Sequence, residues 1–432
     1  MRIAPLLFAF PLLLSAEVHD LTLRQSVDRA LRQNPEILMA RFDELRAAEN
    51  VQQVRDPFSP KLFVGSGLAY SSGMPMSIGG TVPAIIQAQA TQTFYNKQLS
   101  YQVAAARENA RGAGFDTSAR RDQVVFQVAN LHLAAARAVR LASLVRQQVE
   151  SFDKIAGAVR ARVLEGRELA IEARAADFRV AQAKQRLKVL ESEQAQNEAA
   201  LAIALGFPGE DRVRPVEEEL PKIEMPASEV EAAKEALGNS KQLRRLESAL
   251  QAKQLEAHSA RAARYPKIDL VSQYALAAKF NNFEDYYRRF TRHNGQIGMS
   301  FQIPLFAGPA ARSQAAAASI DMNRLRVEIN ATRDRIAVDA RKSFQDVQTA
   351  QASRDLARMD LDITRERLGV ALAQFEEGRL PLRQVEELRS AESEKWVLFY
   401  DAQVVAERAQ LELLRQSGTI LAALQQEARG WW

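Results

Sequence analysis

The residue types that carry out reactions are present in this chain but are not arranged to do so. Its four histidines are His19, His132, His258 and His293. They stand alone in sequence, so none forms the H-E-x-x-H pair that sets two imidazoles on one helix face for a metal. Cysteine is absent. That removes thiolate zinc sites, iron–sulfur clusters, disulfides, a cysteine nucleophile and the lipidated cysteine of a bacterial lipoprotein. There is no G-x-S-x-G elbow and no Walker A loop, and Gly65-Ser66-Gly67 lacks the third glycine and following helix of a dinucleotide site. Asp and Glu are abundant, but such residues on solvated helix faces are expected to be surface charges and nothing more. The expectation is a protein that is not an enzyme and that needs no cofactor and no metal.

Charge is informative by its distribution. The 58 Lys and Arg are interspersed with 53 Asp and Glu, for a formal net charge of +5. A nucleic-acid surface would cluster its basic residues among aromatics, so no nucleic-acid partner is expected. In contrast, residues 62–96 hold 35 consecutive positions without a single charge. The N-terminus has Arg2, an apolar run over residues 3–14 and then Leu14-Ser15-Ala16. This order of charge, apolar run and small residue is that of an export signal, expected over residues 1–16, with the mature chain starting near Glu17. The run of about 12 residues is too short to span a bilayer as a helix, and no later stretch approaches the 18 apolar residues such a helix needs.

Helical stretches dominate the mature chain. Helices are expected over residues 20–56, 98–164, 168–205, 228–264, 309–376 and 382–425, with breaks at Glu165-Gly166-Arg167 and Glu377-Gly378-Arg379. Pro208, Pro215, Pro221 and Pro226 mark residues 207–227 as a linker, and 426–432 is a tail. Between the helices, polarity alternates with a period of two, the mark of a strand with two unlike faces. Over 268–276, Ile268, Leu270, Ser272, Tyr274 and Leu276 share one face. Over 296–303, Ile297, Met299, Phe301 and Ile303 alternate with Gln296, Gly298, Ser300 and Gln302. In the uncharged stretch, Leu62, Val64, Leu68 and Tyr70 alternate with their neighbours, and Ile86, Ala88 and Ala90 oppose Gln87, Gln89 and Thr91. Hairpins are therefore expected at about 61–95 and 267–304, with strands near the nine to eleven residues of a tilted membrane strand.

The same order of events occurs twice. Pro60-Lys61-Leu62 recurs as Pro266-Lys267-Ile268, a shift of 206, and Glu165-Gly166-Arg167 recurs as Glu377-Gly378-Arg379, a shift of 212. The latter shift also carries Leu201 and Gly206 onto Leu413 and Gly418. The chain divides into a first repeat at 17–206 and a second at 228–425, each reading helix, β-hairpin, long helix, turn, helix. A helix of about 67 residues is roughly 100 Å long and must bury its apolar stripe sideways, as coiled coils do. Four strands cannot close a membrane barrel, since about eight are needed, and open edges in lipid leave backbone groups unsatisfied. Strands in a membrane would require the chain to oligomerise.

Together, the export signal, the doubled helix–hairpin–helix–turn–helix order and the lack of cysteine resemble the TolC family of outer-membrane efflux proteins. The resemblance covers nearly the whole mature chain. Its landmarks are Ala30-Leu31 followed by Asn34-Pro35, Pro60-Lys61-Leu62, Ile303-Pro304-Leu305-Phe306, and Phe375 with Gly378 before the Ala-rich helix that reaches Gly418. The implied fold is mainly α with a membrane β-barrel portion. Three chains of four strands would make a 12-stranded outer-membrane barrel continuous with a periplasmic α-helical barrel.

The resemblance implies an exit duct in the outer membrane with a periplasmic extension. Such a homotrimer sits in outer-membrane lipid and docks a periplasmic adaptor (membrane fusion) protein on an inner-membrane pump of RND or ABC type. It makes the turns at Gly166, Arg167, Gly378 and Arg379 the adaptor surface. It also sets a constriction at the periplasmic entrance from residues shortly past each turn glycine: Glu172, Gln384 and Glu387. Three copies of Glu172 and Glu387 would form acidic rings favouring cations, as charged rings do in other pores. Gln384 departs from the acid expected there, and Arg379, Arg383 and Arg389 lie close in sequence. In the second hairpin loop, Phe280, Phe283, Tyr286, Tyr287 and Phe290 among Arg288, Arg289 and Arg292 suit an interfacial aromatic girdle. The competing readings are a soluble periplasmic coiled-coil scaffold and, with the same fold, the outer-membrane component of type I protein secretion.

Overall fold

A computed structural model describes residues 17–67, 84–216, 225–278, 288, 291–305, 308–377 and 379–425. Among them the first half of the chain runs β1 (Val18–Leu21), α1 (Leu23–Gln33), α2 (Pro35–Arg55), β2 (Lys61–Gly67), β3 (Ala84–Asn96), α3 (Lys97–Leu164) and α4 (Ala170–Ala204). The second runs β4 (Arg212–Pro215), α5 (Glu229–Asn239), α6 (Lys241–Ala262), β5 (Lys267–Ala277), β6 (His293–Gln302), α7 (Gly308–Glu376), α8 (Leu382–Gln416) and α9 (Ile420–Gln425). The helices match in pairs: α1 and α5 have 11 residues each, α3 and α7 have 68 and 69, and α4 and α8 have 35 each. The fold is therefore built from repeated units.

Three expected helices are each divided. The stretch 20–56 starts at Thr22, whose hydroxyl accepts from the Gln25 amide while the Gln25 side chain accepts from the Thr22 amide, closing a capping box. It breaks at Asn34, held extended (φ −63°, ψ 127°) because Pro35 follows. Asn34 Oδ1 then accepts from Glu36 N at 2.9 Å and starts α2. The stretch 228–264 breaks likewise at extended Ser240. The stretch 382–425 stops at Gln416, because Gly418 takes φ 71° before α9 begins. Within the expected linker, residues 212–215 form β4.

Contacts divide the chain into two units. The first contains the described residues up to 40, 118–241 and 333 onward. Its core gathers Val27 and Ala30 of α1, Ile37 of α2, Val124, Val125 and Val128 of α3, Leu201 of α4, Val213 of β4, Leu411 of α8 and Ile420 of α9. There β1 and β4 pair in parallel from Val18↔Arg212 to Leu21↔Pro215. One joint is built twice in this unit. Asn34 Nδ2 donates to the Ala204 carbonyl at 2.8 Å, and Asn239 Nδ2 donates to the Ser417 carbonyl at 3.0 Å. Beside each lies a left-handed glycine, Gly206 (φ 76°) or Gly418 (φ 71°). A Cβ on Gly206 would sit 2.7 Å from the Gln33 carbonyl oxygen.

The second unit, residues 41–117 and 242–332, contains an antiparallel sheet of order β2-β3-β5-β6. Its register pairs Leu62↔Ala90, Val64↔Ala88, Ala88↔Tyr274, Leu270↔Met299 and Ile268↔Phe301. Since directly paired residues share a face, these side chains all lie on one side. On the other, Gln89 pairs with Gln273, Gln273 with Gln296, and Asp269 with Ser300. Thr93 Oγ1 donates to Asp269 Oδ1 at 2.8 Å on that polar face. The apolar face is solvent-exposed, with Leu62 at 71% and Ile297 at 76%. The aromatics Phe280, Phe283, Tyr286, Tyr287 and Phe290, and Leu68 and Tyr70, lie outside the described residues.

Candidate functional site

Both turns expected as tips end long helices in the first unit. Gly166 has φ 71°. Its amide donates to the Val163 carbonyl at 3.0 Å, and the Arg167 amide donates to Arg162 at 2.9 Å, the two bonds of a Schellman closure. No neighbour lies within 4 Å of a Cβ placed there, so φ alone makes the position a glycine site. Gly378 lies outside the described residues, but the Arg379 amide reaches back five residues to Gln374 at 2.9 Å in the same way. Each tip carries the same ion pair, Glu165–Arg167 at 3.2 Å and Glu377–Arg379 at 3.1 Å, with both arginines 77% exposed. Pairs that wet contribute little energy, so either guanidinium can be recruited by a partner. Exposed Leu164 and Leu169 flank the first turn.

After the turns, α4 and α8 begin alike: the Glu172 amide bonds to Leu169 O and the Gln384 amide to Pro381 O. Glu172, Gln384 and Glu387 are all exposed. Glu172 stands in the first turn of α4, where the helix dipole favours an anion. Glu387 is engaged by Arg383 one turn earlier, at 3.1 Å, which offsets its charge.

Between Gln384 and Glu387 on α8 lies a carboxylate, Glu386, which is buried and paired with Arg179 of α4. Burial pushes its pKa above the usual carboxylate value; Arg179 and Arg389 pull it down and Glu172 adds to the rise. The electrostatic link places Glu172 and Glu386 in one neighbourhood. On the same face of α8, Arg389 donates to Ser151 Oγ at 2.8 Å and Ser393 to Gln148 Oε1 at 3.1 Å, both on α3. Against these, α3 and α4 zip together through Val145, Val149, Ala156, Ala176, Val180 and Ala183 around Phe152. A cleft of about 280 Å³ runs between the helices, lined by Gln148, Phe152, Arg179, Glu386 and Glu387 among others.

Glu172, Gln384 and Glu387 can be counted off from the turn glycines; Arg179, Glu386 and the bonds of Arg389 and Ser393 cannot. The signal was there: Glu386, Arg389, Ser393 and Trp396 follow one another at spacings of three, four and three, which is the period of a buried seam. Among the described residues no His, Cys, Asp and Glu cluster could hold a metal ion. What the arrangement offers is mechanical: a helix held to its neighbours by polar contacts that can be exchanged for water.

In sequence, the chain matches the model of the outer membrane efflux protein family over residues 26–207 and 232–426. No curated protein matches it. In three dimensions it is similar to a membrane protein from Pseudomonas aeruginosa, with a TM-score of 0.73 and 18% identity over 91% of this chain and 92% of that one. It is similar to CusC, with a TM-score of 0.75 and 16% identity over 92% of each chain. It is also similar to the outer membrane protein VceC from Vibrio cholerae, with a TM-score of 0.70 and 18% identity over 92% of this chain and 96% of that one. At these identities the structural likeness speaks for the fold.

Proposed function

The chain belongs to the outer membrane efflux protein family, and from that premise we propose that three copies form a passive duct carrying substrates from the periplasm to the cell exterior. The family is one of outer-membrane channels with a periplasmic helical extension. One observation carries the reading: the four-stranded sheet has an exposed apolar face and a polar one. Lipid would take Leu62, Ile297, Met299 and Phe301, and a water-filled lumen would take Gln89, Gln273, Gln296 and Ser300. Backbone groups on β2 and β6, the edges of this sheet, need partners in lipid. Three sheets of four strands joined edge to edge make 12, enough to close.

At the periplasmic end, Arg167 and Arg379 with their glycine turns form the surface for a periplasmic adaptor coupled to an inner-membrane pump of RND or ABC type. The entrance is narrowed by Glu172, Gln384 and Glu387. Because Arg383 screens Glu387, Glu172 carries most of the ring's charge. The resting duct is closed by the contacts of α8 with Arg179, Ser151 and Gln148, and adaptor contact at the tips lets α8 move away from α3 and α4. The duct itself performs no reaction.

The test is conductance of the purified protein in planar bilayers. Discrete cation-preferring steps are expected, with Glu172→Gln lowering the preference and Glu387→Gln changing it less. A protein that inserts without conducting would contradict the duct. Unchanged selectivity in Glu172→Gln would remove that residue from the constriction.

A further inference from the structure

Immediately ahead of β1 the backbone meets a carboxylate. The Glu17 backbone nitrogen donates to Asp211 Oδ1 at 3.2 Å, and the Arg212 amide returns a bond to the Glu17 carbonyl at 2.9 Å. The second oxygen of Asp211 is engaged by His19 Nε2 at 3.4 Å. His19 stacks on Phe207 with ring centroids 4.3 Å apart, and the Arg29 guanidinium lies 3.5 Å from the centre of the same ring. Asp211 is thus a mostly buried carboxylate, 13% exposed, aimed at one particular backbone nitrogen. An ordinary amide does not need a carboxylate held by its own imidazole and aromatic support. The Glu17 nitrogen is also the atom that removal of the export signal after Leu14-Ser15-Ala16 would set free.

We propose that Asp211 is a receptor for the α-ammonium group created at Glu17 when the export signal is cut off. Hydrolysis of the Ala16–Glu17 peptide bond by a signal-removing peptidase adds the hydroxyl of water to the Ala16 carbonyl carbon and its proton to the Glu17 nitrogen. At neutral pH that amine takes up one more proton, since α-amino groups titrate near pH 8. A bond from a neutral amide to a carboxylate becomes an ammonium–carboxylate pair, charged on both sides. The gain falls on β1, whose pairing with β4 runs from Val18↔Arg212 to Leu21↔Pro215. Processing therefore fastens the mature terminus to the start of β4, and an uncut chain lacks that ion pair. The inference stands apart from the channel reading, since it concerns export and the β1–β4 pair alone.

The experiment uses the full protein purified from cells that export it. The intact mass reports where the chain starts, and acylation by an N-hydroxysuccinimide ester at pH 7 reports how readily the α-amine reacts. Only the unprotonated amine is acylated, so a carboxylate that holds the proton slows the reaction. The expected mature chain starts at Glu17, and Asp211→Asn acylates about tenfold faster, the scale of a hydrogen bond to a charged group. A variant with one glycine inserted ahead of Glu17 keeps the neutral amide bond but moves the ammonium one residue away, and it should label as fast as Asp211→Asn. Should Asp211→Asn fail to fold, the wild type compared with itself in urea serves, with slower labelling expected in the folded state. A chain starting elsewhere would overturn the proposal, as would equal rates in wild type and Asp211→Asn, or in folded and unfolded wild type.

Discussion

Replacing Arg179 by methionine leaves Glu386 without its partner on α4. The carboxylate side chain is 10% exposed and the guanidinium 38%. Removing one member of a fully buried pair costs about 3–5 kcal/mol, while a surface pair is worth about 0–1 kcal/mol. With Arg179 partly wet and Arg389 still adding a favourable charge, about 2 kcal/mol per chain is a reasonable middle value. The penalty falls on the state in which α8 lies against α4, because movement of α8 into water re-solvates the carboxylate. Three chains acting together give roughly 6 kcal/mol, and about 5.5 kcal/mol takes a two-state equilibrium from 1:99 to 99:1. Under the proposed closure by α8, Arg179→Met is therefore expected to leave the channel mostly open, measured as open fraction in planar bilayers against wild type.

Two rescues follow from the same electrostatics. In the closed state burial raises the Glu386 pKa above its ordinary value, so the closed state binds the proton more tightly than an open, solvated one. Closed-state stability from this group is present at low pH and is lost as pH rises through the raised value. Acidifying Arg179→Met should thus close it again, and Arg179→Met with Glu386→Gln should stay closed at all pH values. An open fraction unchanged in Arg179→Met, at an unchanged melting temperature, would show that the Arg179–Glu386 pair does not hold α8 closed. So would a double variant as open as the single one.

Other positions make separate claims. Gly206→Ala meets both a positive φ and the Gln33 carbonyl oxygen at 2.7 Å, whereas Gly166→Ala meets only its φ. Thermal unfolding should show a loss of about 2–4 kcal/mol for the first and about 1 kcal/mol for the second. His132 is buried, which lowers its pKa to about 4 from 6.5. The unfolded chain therefore takes up a proton between those values while the native chain does not, and stability falls as pH drops through that window by up to about 3 kcal/mol. Urea unfolding from pH 7 to pH 4 should show that slope, and His132→Gln should flatten it. On the sheet, Ile297→Lys should cost about 2–4 kcal/mol in lipid and Gln296→Lys little, read as the fraction of chains that resist extraction by urea.

Much of the fold is written in local chemistry. The Gly166 turn is legible because glycine takes its positive φ at no steric cost, and the strands are legible because their faces differ so sharply that period two survives in the raw sequence. The divisions at Asn34 and Ser240 were missed because the flanking stretches carry helix-compatible residues and the interrupting signal is one Asn-Pro pair or one serine. Strand β4 was hidden because four residues ending in Pro215 make a strand only when β1, some 190 residues earlier, lies beside them. The candidate site was half legible. Glu172 and Glu387 stand at countable distances from their glycines. The Arg179–Glu386 pair joins residues 207 apart, and no spacing rule reaches that far. Only the seam period on α8 hinted that Glu386 points inward.

The duct requires these strands to meet lipid and these chains to meet each other. Fractionation of a Gram-negative host expressing the protein, followed by native mass spectrometry of the detergent extract, tests both at once. The expected result is an outer-membrane protein released only by detergent, with the mass of three mature chains. A soluble periplasmic monomer or dimer would contradict it, and the two-faced sheet would then have to be explained as part of a coiled-coil scaffold.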